Sequence, residues 1–386
     1  MDVAHDIYLD ANLRTSVSYN SDNEMTDDSI REVSVVGATG FTGRLAVGKL
    51  AARNVPLRLI GRNAARLEDA ARGIEQCDVR PITDWNETAI AEAISGSGAV
   101  VACAGPFVRA GGPVVRAAVA AGVPYCDSTG EQPFIRYIFD KLDAGARDAG
   151  IPLVPAFGFD YVPGDLGAAI AADGLGPLAR VDIVYVVESL GTTPGTRLSA
   201  IEIMGRPGYQ YIDGRLHEER VGAHRRTVDT PIGRRTGGSI PSGEAITVPR
   251  HLDVDTVVSH VSVPGPIGPD SPLAPLASLM LAVPGVGAAL KRVASAGPKG
   301  PSDSHRSGRI FVHVQATARD GRQRAVLVEG RDVYGFTADA LTELATRFAD
   351  GNVSPDCVGA CAPAQAVEPR EFLEATGFSV REVEPE

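Results

Sequence analysis

The stretch Gly37-Ala38-Thr39-Gly40-Phe41-Thr42-Gly43 constrains this chain more than any other, because of what flanks it. The apolar run Val33–Val36 before it reads as a strand, and a helical pattern follows from Phe41 to about Arg53. A second apolar run, Leu57–Ile60, completes a strand–helix–strand unit. In that setting the first glycine permits a tight turn and the second lets backbone approach a pyrophosphate. The third lets helix and strand pack closely. The anion is expected at the helix N-terminus, where free N–H groups and the helix dipole favour it. The expected cofactor contacts are Gly37, Thr39, Gly40, Phe41, Thr42 and Gly43.

The end of the second strand selects the cofactor. An NAD site places an acid there to accept from the ribose 2′-hydroxyl. Here the strand ends Gly61-Arg62-Asn63, and no Asp or Glu lies between Pro56 and Leu67. Arg62 can stack on adenine and pair with a 2′-phosphate, so NADP(H) is expected, with Asn63 beside it. A fourth strand, Ala99–Cys103, runs into Ala104-Gly105-Pro106-Phe107, whose small residues are expected to floor the ribose and nicotinamide.

Strand and helix patterns, among them a helix over Val114–Ala121 stopped by Gly122, keep alternating to Ile151–Val154, which calls for a parallel sheet covered on both faces. Six strands in this span make a doubly wound, Rossmann-type α/β domain over residues 31–175. From Val181 the rhythm changes to β-branched and alternating runs, among them Ala245–Val248, Thr256–Val263 and a hairpin, Arg309–Ala318 with Arg324–Glu329, turning at Asp320-Gly321. Residues 176–332 are therefore expected to form a second α+β domain on a mainly antiparallel sheet with one exposed face. Its expected roles are substrate binding and oligomerisation, with a homodimer as one assembly. Helical patterns at Thr337–Ala349 and Pro369–Thr376 are expected to return to the first domain, so that residues 333–386 complete it. At 386 residues a single compact core is not expected.

The net charge of −11 argues against a nucleic-acid partner, which needs an excess of Lys and Arg. Residues 1–30 carry seven acids against Arg14, lack periodicity, and read as a disordered acidic N-terminal extension. Five cysteines form no dense framework and read as reduced thiols; neither they nor the seven histidines have metal-ligand spacing, so no metal is expected. No basic-then-apolar leader is visible, which points to the cytoplasm. The uncharged segment Ser271–Leu290 is interrupted by Pro272, Pro275 and Pro284. It reads as an apolar lid or buried helix pair rather than a transmembrane span, and it favours an apolar small-molecule substrate. The basic cluster His224-Arg225-Arg226 with Arg234-Arg235 is a candidate dock for an acyl-carrier protein or a coenzyme A-linked substrate, or a solvated loop.

Reduction needs a hydride donor and a proton donor. Tyr125 and Asp127 end the fifth strand, and Asp160 and Tyr161 follow the sixth, at the sheet edge where ligands bind in open parallel sheets. These four are the catalytic candidates: Tyr161 or Tyr125 as proton donor, Asp160 orienting a water or a substrate amine. Asp127 and Asp165 also have a structural reading, as caps of the residues that follow them. Replacing Tyr161 by Phe is expected to cut turnover at least tenfold if it donates the proton.

With these residues placed, the chain resembles the saccharopine dehydrogenase-like oxidoreductases, including the actinobacterial trans-acting enoyl reductases. The carrying motifs are GATGFTGRL (37–45), GR (61–62), CAGPF (103–107), YCDSTGE (125–131) and FGFDYVPGDLG (157–167), with weaker echoes at 195–200, 297–306 and 334–341. The resemblance spans about residues 32–380 and departs at Tyr161, where a small residue is expected. It implies an NADP-binding Rossmann domain, an α/β substrate domain and hydride transfer. The leading expectation is NADPH-dependent reduction of a polarised C=C bond in an acyl or polyketide-like substrate. The alternatives are a C=N reductase or amino-acid dehydrogenase, and a non-catalytic cofactor-binding protein.

Overall fold

The computed structural model describes residues 31–189, 197–198, 201, 204–263, 269–271, 279–280, 290, 292, 308–355 and 357–386. The acidic stretch 1–30 and nearly all of the uncharged 271–290 segment lie outside the described residues, as do the motif echoes at 297–306 and most of 195–200.

Six short strands open the fold: β1 (Val33–Val36), β2 (Leu57–Gly61), β3 (Cys77–Pro81), β4 (Ala99–Ala102), β5 (Tyr125–Asp127) and β6 (Pro152–Val154). Between them run α1 (Phe41–Ala52), α2 (Ala64–Ala71), α3 (Glu87–Ile94), α4 (Phe107–Ala121), and α5 (Gln132–Tyr137) and α6 (Asp143–Asp148), joined by a π turn; α7 (Val162–Ala172) follows β6. β1 and β4 are buried along their whole length, as central parallel strands must be. Asn63 and Asn86 cap α2 and α3, each accepting a backbone N–H.

The second set is β7 (Leu178–Val187), β8 (Gly208–Ile212), β9 (Arg215–Glu219), β10 (Arg225–Val228), β11 (Arg235–Ser239), β12 (Val254–Ser262), β13 (Arg309–Ala318) and β14 (Gln323–Arg331). After helix Val333–Ala349 come β15 (Gly359–Ala360), two short helices and β16 (Ser379–Val383). The first sheet has the order β15-β6-β5-β4-β1-β2-β3, every pair parallel. The second runs β10-β11-β12-β7-β13-β14-β16, antiparallel except for β12 with β7, and β8 and β9 attach to it at β12. This is the expected doubly wound sheet with a second, mainly antiparallel one.

The late helix Val333–Ala349 packs on α1, β4 and β5, and β15 extends the first sheet. β16 instead pairs with β14, so the chain crosses back to the second sheet for its last strand. One apolar core runs through both sheets, from Val35 and Leu59 to Val181 and Val312, where separate cores were expected; α7 lies in it, packed on β7, β13 and β14. The other side of the first sheet holds its own cluster, with α4 against α3.

Four local readings are corrected. Ala245–Val248 is helical, within Glu244–Thr247 and a 3-10 turn Val248–Arg250, not extended. The run is buried on all sides, so no period is visible, and Pro249 has no N–H for a strand ladder. The helix expected from Val114 begins at Phe107 and carries Pro113 inside it. The second sheet has no fully exposed face: His260, His313, Val184 and Phe311, on the side away from α7, are buried as well. Cys357 and Cys361, read as thiols, are disulfide-bonded, their Cα atoms 5.8 Å apart, while Cys77, Cys103 and Cys126 are free.

Candidate active site

The glycines of the first loop divide by what surrounds them. Gly37 has a φ of +87°, and a Cβ there would meet the Ala104 backbone nitrogen at 2.8 Å. A Cβ on Gly43 would overlap the Gly37 carbonyl oxygen. Both positions are glycine because protein backbone crosses protein backbone. Gly40 differs: nothing comes nearer to its Cβ position than 3.4 Å, so the fold itself does not demand glycine there. Space kept open above a helix N-terminus suits a diphosphate approaching the backbone. α1 supports this, having no side-chain cap and no acid in its first turn. The loop fits a dinucleotide.

The other predicted cofactor residues surround that loop. Cys103 N donates to Val36 O, which sets the 103–107 segment beside the glycine turn. Gly105-Pro106 is a cis peptide, and α4 starts at Phe107. That helix is already capped: the N–H groups of Phe107 and Val108 donate to the two carboxylate oxygens of Glu131, at 2.8 and 2.9 Å. Thr39 and Thr42 lie in the turn and first helical turn, with Phe41 edge-on to Tyr334 of the late helix, 5.1 Å between centroids. Arg62 is exposed at the end of β2. Asn63 beside it spends its Oδ1 on the Arg66 N–H.

The four catalytic candidates separate into three environments. Tyr125 and Asp127 are both fully buried. Tyr125 donates to Asp127 Oδ2 at 2.8 Å, while Oδ1 accepts from Thr129 N and Ala156 N. Asp127 therefore ties the loop after β5 to the one after β6. Burial raises its pKa to about 6 against those hydrogen bonds, and burial with the nearby carboxylate pushes Tyr125 well above the usual phenol range. Tyr161 is 3% exposed and donates to Gly130 O at 2.7 Å. Burial and the Asp160 charge raise it well above the usual phenol range too. Asp160 stands apart. Its side chain is open to solvent, yet desolvation by surrounding protein raises its pKa.

A further carboxyl near these candidates was not singled out in the sequence. Glu244 is fully buried, Oε1 accepts from Tyr185 OH at 2.6 Å, and Oε2 has no hydrogen-bond partner among the described residues. Burial raises it to about 8, opposed by the Tyr185 hydrogen bond. Gly164 N in turn donates to Tyr185 OH, and a Cβ on Gly164 would lie 2.5 Å from both Glu244 Oε1 and the Tyr185 oxygen. A Cβ on Gly243 would press on the Tyr161 ring at 2.8 Å. Glu244 and Asp160 both act on the Tyr161 phenol, so the first and second sheets contribute acids to one neighbourhood. Asp165 lies inside α7 rather than before it, accepting from Ala364 N at 2.9 Å with His251 3.2 Å away.

Two members of the predicted basic cluster have side-chain partners. Arg226 turns inward to Asp182 and Gln315, and His224 pairs with Glu219. Among the described residues no group of three or more His, Cys, Asp or Glu could hold a metal ion, and no helix is long and apolar enough to cross a membrane.

Comparison with known proteins bears on the same elements. Residues 33–154 match the saccharopine dehydrogenase NADP binding domain family. The trans-acting enoyl reductase of Mycobacterium ulcerans (strain Agy99) is 35% identical over 164 residues, covering 40% of this chain and 39% of that protein. A protein of the same name from Mycobacterium bovis (strain BCG / Pasteur 1173P2) is 34% identical over 171 residues, 40% of each. The chain thus spans less than half the length of these curated relatives. The apo saccharopine dehydrogenase (L-Glu forming) from Saccharomyces cerevisiae superposes with a TM-score of 0.59 at 12% identity, over 92% of this chain and 100% of that one. It shares the fold across both sheets.

Proposed function

We propose, for a saccharopine dehydrogenase-like chain whose residues 33–154 are that family's NADP-binding domain, that the protein is an NADPH-dependent reductase of a polarised C=C bond in an acyl or polyketide-like substrate. The observation that carries the reading is Asp160, an exposed carboxyl with a raised pKa on the loop after β6, beyond the strand ends of a dinucleotide fold. The names of the mycobacterial relatives support the enoyl class.

NADPH, when bound, supplies the hydride. Gly40 and the N-terminus of α1 would hold the diphosphate, on a turn packed through Gly37 and Gly43, and Arg62 would take the 2′-phosphate. Ala104, Gly105, Pro106 and Phe107 would floor the ribose and nicotinamide, held by the Glu131 cap on α4. A carbanion left next to the acyl carbonyl needs a proton near neutral pH. Tyr125 and Tyr161, raised above the phenol range and tied to partners, are poor donors and serve to position the loops at 128–131 and 156–161. Asp127 is walled in by three hydrogen bonds. Asp160, exposed beside Tyr161, delivers the proton, while Glu244, which acts on the same phenol, is held protonated by burial up to about pH 8. A second reading, reduction of a C=N bond, draws on the fold shared with saccharopine dehydrogenase. Asp160 would then steady a substrate amine.

Replacing Asp160 by Asn tests the assignment. With a trans-2-enoyl thioester and NADPH, turnover should fall by about 10²-fold or more, the scale of general-acid catalysis, with the NADPH dissociation constant unchanged. Turnover within twofold of wild type removes Asp160 from proton delivery.

A further inference from the structure

Trp85 is the single tryptophan in the chain and lies on the turn after β3, half-buried. The Arg62 guanidinium carbon sits over its ring, 6.0 Å from the centroid. The indole Nε1–H donates to Ala110 O at 3.0 Å, inside α4. One edge of the ring is thus fastened to the helix that follows the 104–107 floor, and its face is offered to the arginine. Asn63 leaves Arg62 alone, because its own oxygen caps α2. An exposed arginine has many rotamers, and a phosphate contact must overcome the entropy of choosing one. A guanidinium resting on an aromatic face loses that freedom beforehand. Its forked N–H edge stays free for a bidentate phosphate contact, and its second face for a base.

We propose that Trp85 is a specificity-determining positioning residue: it holds Arg62 flat for the adenosine 2′-phosphate and, through Ala110, ties that subsite to α4. This rests on the NADPH reading above. A structural role alone would lower affinity for every adenosine ligand equally, whereas a role through Arg62 acts on the 2′-phosphate.

The test is calorimetric titration of the full chain with 2′,5′-ADP and with 5′-AMP. Trp85→Leu, which removes the π face and keeps an apolar side chain, should weaken 2′,5′-ADP by about 2–5-fold, the scale of an exposed cation–π contact, and leave 5′-AMP unchanged. Trp85→Phe should restore most of the difference. In an Arg62→Ala background, Trp85→Leu should change nothing further. In the wild-type chain, saturating 2′,5′-ADP should alter the single tryptophan emission more than 5′-AMP does, which needs no variant to fold. Equal weakening of both ligands, additive effects of the two substitutions, or an unaltered emission overturns the proposal. Wild-type affinity no higher for 2′,5′-ADP than for 5′-AMP instead overturns the NADPH reading.

Discussion

Glu244 is the most perturbed carboxyl at the residue scale, since a carboxyl buried with no cation beside it among the described residues is costly to ionise. Its pKa rises from the ordinary 4.5 to about 8 in the folded chain. The folded state therefore holds a proton that the unfolded state releases between those values. The stability this contributes is fully present below pH 4.5 and is lost as pH rises through 8. Glu244→Gln keeps the shape and removes the titration. Urea unfolding at intervals from pH 5 to 8 should show the variant gaining on wild type by a few kcal/mol across that range; parallel curves would mean Glu244 titrates normally. Individual residues were unequally legible. The turn carrying the three glycines and the exposed place of Arg62 after β2 could be read from spacing and strand ends. Glu244 could not, because Tyr185 and Gly164, which define its surroundings, arrive from 59 and 80 positions away. Asp127 was read both as an acid and as a cap; its hydrogen bonds to Thr129 and Ala156 show the cap.

Elements carry the next level, and the loop before α1 separates packing from binding. Gly43→Ala sets a methyl against the Gly37 carbonyl and should cost about 1–3 kcal/mol of stability, the usual range for overpacking. Gly40→Ala meets only ordinary contacts, so its melting temperature should stay close to wild type while NADPH binding weakens by roughly tenfold or more, as the backbone-to-diphosphate approach is blocked. Thermal melts and NADPH titrations of the two variants should therefore give opposite patterns; matching patterns would refute the division. Long, periodic elements such as α1, the β13–β14 hairpin and the helix Val333–Ala349 were legible because pattern and length agree. The start of α4 was not, since Pro113 reads as a boundary and the cap at Phe107 comes from Glu131, 24 residues on. Ala245–Val248 failed for the opposite reason: four buried residues carry no period.

Across the whole molecule, the two sheets share one apolar core. α7 packs on β7, β13 and β14 within it, and Gln132 at the start of α5 spans the sheets directly, bonding both backbone groups of Tyr209 and the carbonyl of Ser242. Lys49–Asp339 and Arg53–Glu343 clip α1 to the late helix, though such partly exposed pairs contribute little. The doubly wound half was legible from alternation alone; the return of Ser379–Val383 to the second sheet was not, because strand partners distant in sequence leave no local trace. The most direct test of the account is isotope transfer from NADPH deuterated at nicotinamide C4, on the transferred face, to a trans-2-enoyl thioester. The account predicts one deuterium at the β-carbon of the saturated product and a solvent-derived hydrogen at the α-carbon. A product without deuterium, or deuterium transferred only to the imine formed from a 2-oxo acid and an amine, would contradict it.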